Sequence, residues 1–254
     1  MKHIFVYGTV LNNAPWVKDC LNSVLPLNPI RIVIVDNGST DGTVNIIREM
    51  QKQHTEIQLI EGRYSRGAGR QRALDEIYKY ANNNDVALYI DLDTVYSNKW
   101  IKKILSDVKT IKNYKMGFAQ SQLCTIKTNK LAKWRDLYMA EDWERLAHLQ
   151  SCGVKGITYP SWKNMAKNRD EGSSWSEREK YYTKSYITLF NRVVDEHRGT
   201  AYKNWSGSAI SPGNKIINIM AHFIALIKGV YSYNKNLDNK QMFRSKYNSK
   251  NVDN

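Results

Sequence analysis

The chain has 254 residues, a formal net charge of +14 and 42% hydrophobic residues, which is enough apolar material for one large domain or a domain with a tail. No apolar run approaches the ~20 residues of a membrane-spanning helix, and the run 4–7 is too short for a secretion signal. Cys20, Cys124 and Cys152 form no metal-binding pair, so we expect a reducing, cytoplasmic compartment.

The positive charge is concentrated in the second half of the chain. Residues 1–110 carry 14 Lys/Arg against 12 Asp/Glu, whereas residues 111–254 carry 24 against 12. A uniformly basic chain would favour nucleic-acid binding, but this distribution favours an anionic surface or substrate that meets the second half. Surface lysines that only keep the protein in solution would give the same pattern.

Strand and helix patterns alternate through the first 110 residues. Apolar runs predict strands at 4–7, 30–35, 57–60 and 86–91, and helical spacing predicts helices within 13–25, 43–50, 73–81 and 100–108. Asn13 is the expected cap of the first helix, with Pro15 in its first turn. This rhythm predicts an α/β fold with a mostly parallel, Rossmann-like sheet and helices on both faces, which binds ligands at the carboxyl ends of its strands.

The pattern changes after residue 110. Residues 116–126 predict one long strand or two strands joined at a bend, and residues 142–150 predict a helix that stops at Gly153. A capping box at 174–177 opens a long helix that ends near Gly199, after a polar segment, 163–174, that we expect to be a mobile loop.

The tail, residues 206–254, carries 7 basic and 2 acidic residues and contains an amphipathic helix at 215–231. Two interpretations remain open for this helix. It is either an interfacial helix at an anionic membrane, which would make the protein peripheral to the membrane, or a helix that packs on the domain or on a second subunit of a homodimer.

Two carboxylates, Asp91 and Asp93, follow the buried run 86–90. Alternate residues of a strand share a face, and two close carboxylates repel each other unless a cation is present. The Asp-x-Asp pair therefore indicates a divalent metal that serves a phosphate group, although a simple strand-ending turn has the same composition.

Three other segments carry candidate chemistry. Asp36, Asn37 and Gly38 form a turn after a buried strand, where a carboxylate can accept the imide N–H of a pyrimidine; an ordinary capped turn is the alternative. The basic loop 65–72 enters a helix with three arginines and favours an anion. Asp142 at a helix start is either a dipole partner or a base that deprotonates a hydroxyl.

The order of these segments over residues 3–155 resembles the family-2 glycosyltransferases of the GT-A fold. The residues that carry the resemblance are Thr9 and Asn12, the segment 36–43, Arg66 with Gly67 and Arg72, the pair Asp91 and Asp93, and the segment Glu141, Asp142 and Trp143. The family often has Asn where Ser65 and Ala73 stand here.

The resemblance implies a metal-dependent, inverting enzyme that moves a sugar from a nucleotide-diphosphate sugar, a UDP-sugar first, to a hydroxyl of a glycan, lipid-linked or protein acceptor. The nucleotide-sugar site would contain Thr9, Asp36, Asn37, Gly38, Arg72, Asp91 and Leu92. Asp93, together with Asp91, would hold Mn²⁺ or Mg²⁺, and Asp142 would be the catalytic base. His197 is a further candidate metal ligand, although a lone histidine is more often structural.

The resemblance also implies a GT-A domain at 1–205, followed by the tail 206–254. Residues 1–110 would form its nucleotide-sugar-binding half and residues 111–205 its acceptor and catalytic half.

Three rival functions remain. A sugar-phosphate nucleotidyltransferase would need a glycine-rich basic loop after the first strand, which residues 9–14 lack. A non-enzymatic nucleic-acid binder would show steeply salt-dependent binding and indifference to Asp93→Ala. A catalytically inactive scaffold does not require Asp93 and Asp142, and both are present.

Overall fold

Strands and helices alternate through the first half of the chain, as the sequence predicts. A computed structural model describes residues 2–112, 114–116, 121–154, 166–168, 186–200 and 215–229. In chain order the first elements are β1 (Ile4–Val10), α1 (Ala14–Val24), β2 (Arg31–Asp36), α2 (Thr43–Gln53), β3 (Ile57–Glu61), α3 (Arg66–Ile77), β4 (Val86–Ile90), β5 (Thr94–Tyr96) and α4 (Asn98–Thr110).

The described residues of the second half add shorter strands and three longer helices. Its elements are β6 (Tyr114–Met116), β7 (Ser121–Thr125), α5 (Ile126–Asn129), α6 (Glu141–Ser151), β8 (Ala166–Asn168), α7 (Tyr186–Thr200) and α8 (Lys215–Lys228). The predicted strand 116–126 is therefore two strands, and the predicted start of the long helix at 174–177 lies outside the described residues. In the described part of the chain no helix has both the length and the apolarity to cross a membrane.

The main sheet has six strands in the order β3-β2-β1-β4-β7-β6. Strands β1 to β4 are parallel, β7 runs antiparallel beside β4, and β6 runs antiparallel beside β7 at the edge of the sheet. Because the first strand lies between the second and the fourth, the strand order reverses beside β1, where open α/β sheets bind ligands. The register pairs Val10 with Asp36, so β1 and β2 end at the same edge.

Helices cover both faces of this sheet, which confirms the predicted α/β architecture. One apolar cluster packs the sheet against α1, α2 and α4, and a second packs the opposite face against α3 and Trp134. Alternate strand residues divide between them: Val6 and Ile32 join the first cluster, and Tyr7 and Val33 join the second.

The segment predicted as a mobile loop contains a strand. Residues Ala166–Asn168 form β8, which pairs antiparallel with β5, and Val95 lies opposite Lys167. These partners are more than 70 positions apart in the sequence, and a polar three-residue strand has no periodic signal of its own.

The start of α1 also differs from the prediction. Asn13 makes no side-chain capping hydrogen bond, and its Nδ2 donates to the Leu92 carbonyl at 2.6 Å instead. The Ala14 N–H instead donates to Asp41 Oδ2, at 2.9 Å, in the turn after β2. A long-range carboxylate therefore caps this helix.

Candidate active site

Asp36 closes β2 and organises the turn that follows it. Its Oδ2 accepts the backbone N–H groups of Gly38 and Ser39, each at 2.9 Å, and Gly38 has the positive φ of 94° that the turn requires. The carboxylate is buried, and its Oδ1 has no hydrogen-bond partner among the described residues. A buried acceptor of this kind suits the N–H group of a ligand.

Thr9 and Asn37 lie beside this turn, where α3 approaches the sheet edge. The Asn37 N–H donates to the Val10 carbonyl at 2.9 Å. A Cβ atom at Gly69 of α3 would lie 2.9 Å from both Asn37 Oδ1 and Thr9 Cγ2. The missing side chain at Gly69 therefore lets α3 reach the ends of β1 and β2, and the structure brings Thr9, Asp36, Asn37 and Gly38 together.

Arg70, in the first turns of α3, is buried at the centre of a cluster of polar and aromatic groups. Its Nη2 donates to the Tyr89 hydroxyl at 2.5 Å and lies 3.9 Å from Asp91 Oδ1, and its Nη1 lies 2.7 Å from Glu141 Oε1. Burial opposes the charge of Arg70, but Tyr89 and the carboxylates of Glu141, Asp91 and Asp142 outweigh it and raise its pKa. Arg70 therefore connects the end of β4 to the start of α6.

Asp91 lies just beyond β4 and is held by its own strand. The Tyr89 hydroxyl, two residues earlier on the same face, donates to Asp91 Oδ1, and the Asp91 N–H donates to the Tyr96 hydroxyl at 3.1 Å. Burial, with the neighbouring charge of Asp93, raises the pKa of Asp91 to about 7, against the opposing effects of Arg70 and Tyr89. The charge of Asp93 is therefore close enough to disfavour the ionised form of Asp91.

The chemistry of this pair fits a hard divalent cation. Asp91 and Asp93 offer carboxylate oxygens, and Asp93 Oδ1 also accepts from the Thr94 hydroxyl at 3.3 Å. Within the described ranges there is no group of three or more His, Cys, Asp or Glu residues that could hold a metal. Two carboxylates suffice for Mg²⁺ when substrate phosphates complete its coordination.

Leu92 has a different environment from the acids on either side. Its side chain is buried in the apolar cluster beneath β1, close to Gly8, and its carbonyl accepts from Asn13 Nδ2. The side chain thus fixes the loop that carries Asp91 and Asp93.

The start of α6 presents Glu141 and Asp142 after a strained residue. Ala140 has a φ of +59°, in the left-handed region that favours glycine, and α6 begins directly after it. Glu141 is buried and pairs with Arg70, and Arg66 Nη1 lies 3.6 Å from the same oxygen. Two arginines therefore hold Glu141 at the first turn of α6, directly before Asp142.

Trp134 and Arg145 anchor α6 on the sheet. The guanidinium groups of Arg70 and Arg145 lie 4.7 Å and 4.3 Å from the centre of the Trp134 ring. Arg145 also donates from Nη1 to the Tyr7 hydroxyl, at 3.2 Å, and from Nε to the Ala132 carbonyl, at 3.2 Å. The position of Asp142 thus depends on a buried set of cation–π and hydrogen-bonding contacts.

Two of the candidate residues lie apart from this cluster. Arg72 is partly exposed on α3 and pairs with Glu76, 3.4 Å away. His197 is buried between α7 and α8, where its Nε2 lies 3.3 Å from Asn218 Oδ1 and its ring packs edge-on against His222. The structure therefore does not bring Arg72 or His197 to Asp91, and their proposed roles stay predictions.

The cluster also contains residues that the sequence did not single out. Tyr89, Trp134 and Arg145 are not among the predicted site residues, and the sequence indicates Arg70 only as one of the three arginines of the basic loop 65–72. A signal existed for Tyr89, because it lies two residues before Asp91 and therefore on the same face of the strand. No local signal identifies Trp134, which reaches the cluster from a loop.

Comparison with known proteins agrees with this arrangement. Residues 6–131 match the family model of Glycosyl transferase family 2. Over 108 residues, which are 42% of this chain, the sequence is 34% identical to the poly-beta-1,6-N-acetyl-D-glucosamine synthase of Staphylococcus epidermidis. That stretch covers 25% of the synthase, so the chain matches only a quarter of its relative's length.

Solved structures of similar fold extend over more of the chain. A mannosyltransferase from Pyrobaculum calidifontis, solved with GDP-Man and Mn²⁺, has a TM-score of 0.54 at 15% identity and covers 89% of this chain and 73% of its own. Glucosyl-3-phosphoglycerate synthase from Mycobacterium tuberculosis, solved with Mn²⁺, UDP and glucosyl-3-phosphoglycerate, has a TM-score of 0.54 at 13% identity, with coverages of 75% and 80%. These likenesses confirm the GT-A fold.

The matched residues 6–131 include the Asp36 turn, Arg70 and the Asp91–Asp93 pair. Family match, fold and the grouping of these residues at one sheet edge agree with the resemblance predicted from the sequence. The match over residues 6–131 therefore confirms the resemblance to glycosyl transferase family 2.

Proposed function

We propose that this protein transfers a sugar from a nucleotide-diphosphate sugar to an acceptor hydroxyl, with inversion at the anomeric carbon. The observation that carries the proposal is the position of Arg70, which contacts both Asp91 and Glu141. The candidate metal-binding carboxylates and the candidate base, Asp142, therefore belong to one cluster, as a transfer between donor and acceptor requires.

The nucleotide would bind at the ends of β1 and β2. Asp36 Oδ1 is a buried acceptor without a partner in the described part of the chain, which supports a contact to the imide N–H of uracil. We therefore place UDP-sugars first among the donors, with Thr9, Asn37 and Gly38 around the base and Asp91 and the Leu92 backbone near the ribose.

Asp93, with Asp91, would hold Mn²⁺ or Mg²⁺, the ions present in the solved relatives with UDP. When bound, the cation would neutralise the negative charge of the diphosphate leaving group. Arg70 stays charged close to Asp91 and would favour the ionised carboxylate that a cation requires, against the effects of burial and Asp93.

Asp142 would accept the proton of the acceptor hydroxyl. Glu141 is buried and paired with Arg70, and this pairing supports a role in fixing the first turn of α6, so that Asp142 would face the acceptor. The acceptor, a glycan, a lipid-linked sugar or a protein, would approach from the side of α6 in the half of the domain after residue 110.

A donor screen tests this proposal. The full chain is incubated with UDP-, GDP- and dTDP-sugars in Mn²⁺, and release of the nucleoside diphosphate is compared with the same reactions in EDTA. We expect slow hydrolysis of a UDP-sugar that requires the metal and is lost in Asp93→Asn but retained in Asp75→Asn, an exposed carboxylate on α3.

Two results would contradict the proposal. The first is neither turnover nor nucleotide binding with any donor, with or without Mn²⁺. The second is formation of a nucleotide sugar from a sugar phosphate and a nucleoside triphosphate, with release of pyrophosphate, which would identify a nucleotidyltransferase instead.

A further inference from the structure

The outer face of α8 exposes large apolar side chains. Those of Ile216, Met220, Phe223, Leu226 and Ile227 are 72%, 56%, 61%, 48% and 81% exposed. At ~100° per residue, these five positions fall within an arc of about 120° along one side of the helix. They form a continuous stripe, which we call the α8 stripe. Single exposed apolar residues are normal on a protein surface, whereas a continuous stripe of this kind indicates an interaction site.

The opposite side of α8 packs on α7 through small residues. Ala221, Ala225 and Asn218 are fully buried there, against Val193 and Val194. The helix thus buries its alanines, packs Ile217 and Ile224 partly against the same cluster, and exposes the large side chains of the stripe on its other side. Packing on α7 consequently leaves the apolar side chains of the stripe uncovered.

Charge indicates what covers the stripe. The helix starts at Lys215 and ends at Lys228, both exposed, and contains no Asp or Glu. The whole chain has a net charge of +14, so two copies that met through this face would repel each other. An anionic lipid surface attracts the same lysines and accepts the apolar side chains between its headgroups.

The geometry also suits a membrane surface. A helix of 14 residues is about 21 Å long, too short to cross a bilayer but long enough to lie along its interface.

We propose that the α8 stripe docks this protein onto an anionic membrane, with α8 lying in the plane of the interface. This proposal rests on exposure and charge and does not depend on the reaction proposed above. The docked helix is connected to the candidate site through α7, because Asp195 Oδ2 accepts the Tyr138 N–H, at 3.0 Å, two residues before Ala140. Docking would therefore place the acceptor side of the site near the lipid surface.

Vesicle flotation with the full chain tests the proposal. Vesicles of phosphatidylcholine alone are compared with vesicles that contain about one third phosphatidylglycerol, at low and high salt. We expect the protein to float with the anionic vesicles only, and more weakly at high salt, because the lysine contribution is screened.

A matched pair of variants locates the contact. Ile216→Gln with Ile227→Gln removes two side chains of the stripe at solvent-exposed helix positions that tolerate glutamine. Ile30→Gln with Leu131→Gln makes the same change at two apolar residues, 50% and 47% exposed, outside α8. We expect vesicle affinity to fall at least about tenfold in the first variant only, with circular dichroism and thermal unfolding unchanged in both.

Each alternative occupant gives a distinct result. No flotation of the wild-type protein would overturn the proposal, as would equal flotation of the wild-type protein and the α8 variant. A dimer in sedimentation experiments that dissociates in the α8 variant, without flotation, would assign the stripe to a second copy of the chain and would also overturn it.

Discussion

Arg70 Nη1 lies 2.7 Å from Glu141 Oε1, and both side chains are buried. This ion pair joins α3 to the first turn of α6, and the other arm of the same guanidinium reaches Tyr89 and Asp91. Two segments about 50 residues apart, one with the candidate metal-binding carboxylates and one with the candidate base, thus meet at one planar cation. The position of each segment relative to the other therefore depends on Arg70.

Arg70 and Arg72 can be compared by the same substitution. Arg70→Lys keeps the charge but loses the fork that contacts Glu141 and Tyr89 at once, whereas Arg72→Lys changes a partly exposed partner of Glu76. We expect donor turnover to fall about tenfold or more in Arg70→Lys and to change less than about twofold in Arg72→Lys. Kinetics with the donor found in the screen, together with nucleotide affinity by calorimetry, provide the measurement. A loss of nucleotide affinity confined to Arg72→Lys would instead assign the nucleotide contact to Arg72.

Glu141 and Asp142 are expected to fail in different ways. Asp142→Asn removes the proposed base, so kcat should fall by about 10²–10⁴ while nucleotide affinity and the free energy of unfolding stay close to wild type. Glu141→Gln leaves Arg70 without its buried counter-charge, so the free energy of unfolding should fall by about 3 kcal/mol. Transfer kinetics and urea titrations of both variants distinguish these roles. A Glu141→Gln protein that is stable but inactive would instead assign the base to Glu141 and the structural role to Asp142.

Gly67 is expected to tolerate no side chain, although it lies in the first turn of a helix. A Cβ atom there would lie 1.9 Å from the Arg135 carbonyl oxygen, and the Gly67 N–H donates to the Leu137 carbonyl at 3.0 Å. Helix propensity alone would favour alanine by about 1 kcal/mol, but this overlap should reverse the sign and cost about 2 kcal/mol or more.

A second glycine provides the control for Gly67→Ala. Gly153 has a φ of +80° and open space around it, so Gly153→Ala should cost only about 1 kcal/mol, from backbone strain. Urea unfolding of both variants gives the comparison. Equal stability of Gly67→Ala and wild type would show that the segment 135–137 can move away from α3.

Asp41 should make a pH-dependent contribution to stability. Its carboxylate accepts the Ala14 N–H at the start of α1 and both the N–H and the hydroxyl of Thr43 at the start of α2. Partial burial alone would raise the pKa of Asp41, but these hydrogen bonds outweigh it and hold the pKa below its ordinary value. Because the pKa is lower in the folded protein, the stabilisation is complete above the unfolded value of about 3.9 and is lost as pH falls through the folded value.

Asp41→Ala should therefore lower the free energy of unfolding by about 1 kcal/mol at pH 7, with a smaller difference from wild type near pH 3. Asp19→Ala, at an exposed position of α1, is the matched control and should show little effect at either pH. Urea titrations at both pH values measure the change, and a difference that stays constant with pH would exclude the carboxylate as its source.

The sequence predicts the sheet well because its signals are local. Each buried strand is a short apolar run that ends in a polar turn, and the ends of parallel strands share one edge, so the sequence alone is enough to group Thr9, Asp36 and Asp91. The roles of these residues come from the family resemblance.

Other features depend on contacts that no local pattern contains. Arg70 and Arg72 are about 200° apart around a helix, so the rotation of α3 against the sheet decides which of them meets Asp91. The side chain that caps α1 is that of Asp41 and not that of Asn13, because the turn after β2 folds back over the helix start. His197 is a similar case, since its neighbours Asn218 and His222 come from a helix about 20 residues later.

The contact between Ala140 and Gly199 limits how this chain can vary through evolution. A Cβ atom at Gly199 would lie 3.1 Å from the Ala140 carbonyl oxygen and 3.2 Å from Ala140 Cβ. A side chain at position 199, near the end of α7, therefore requires a shift of a few tenths of an ångström at Ala140 before α6. Homologous chains with a larger residue at the position of Gly199 should therefore have glycine at the position of Ala140 or a wider spacing between these helices. An alignment of such chains would show the two positions changing as a pair.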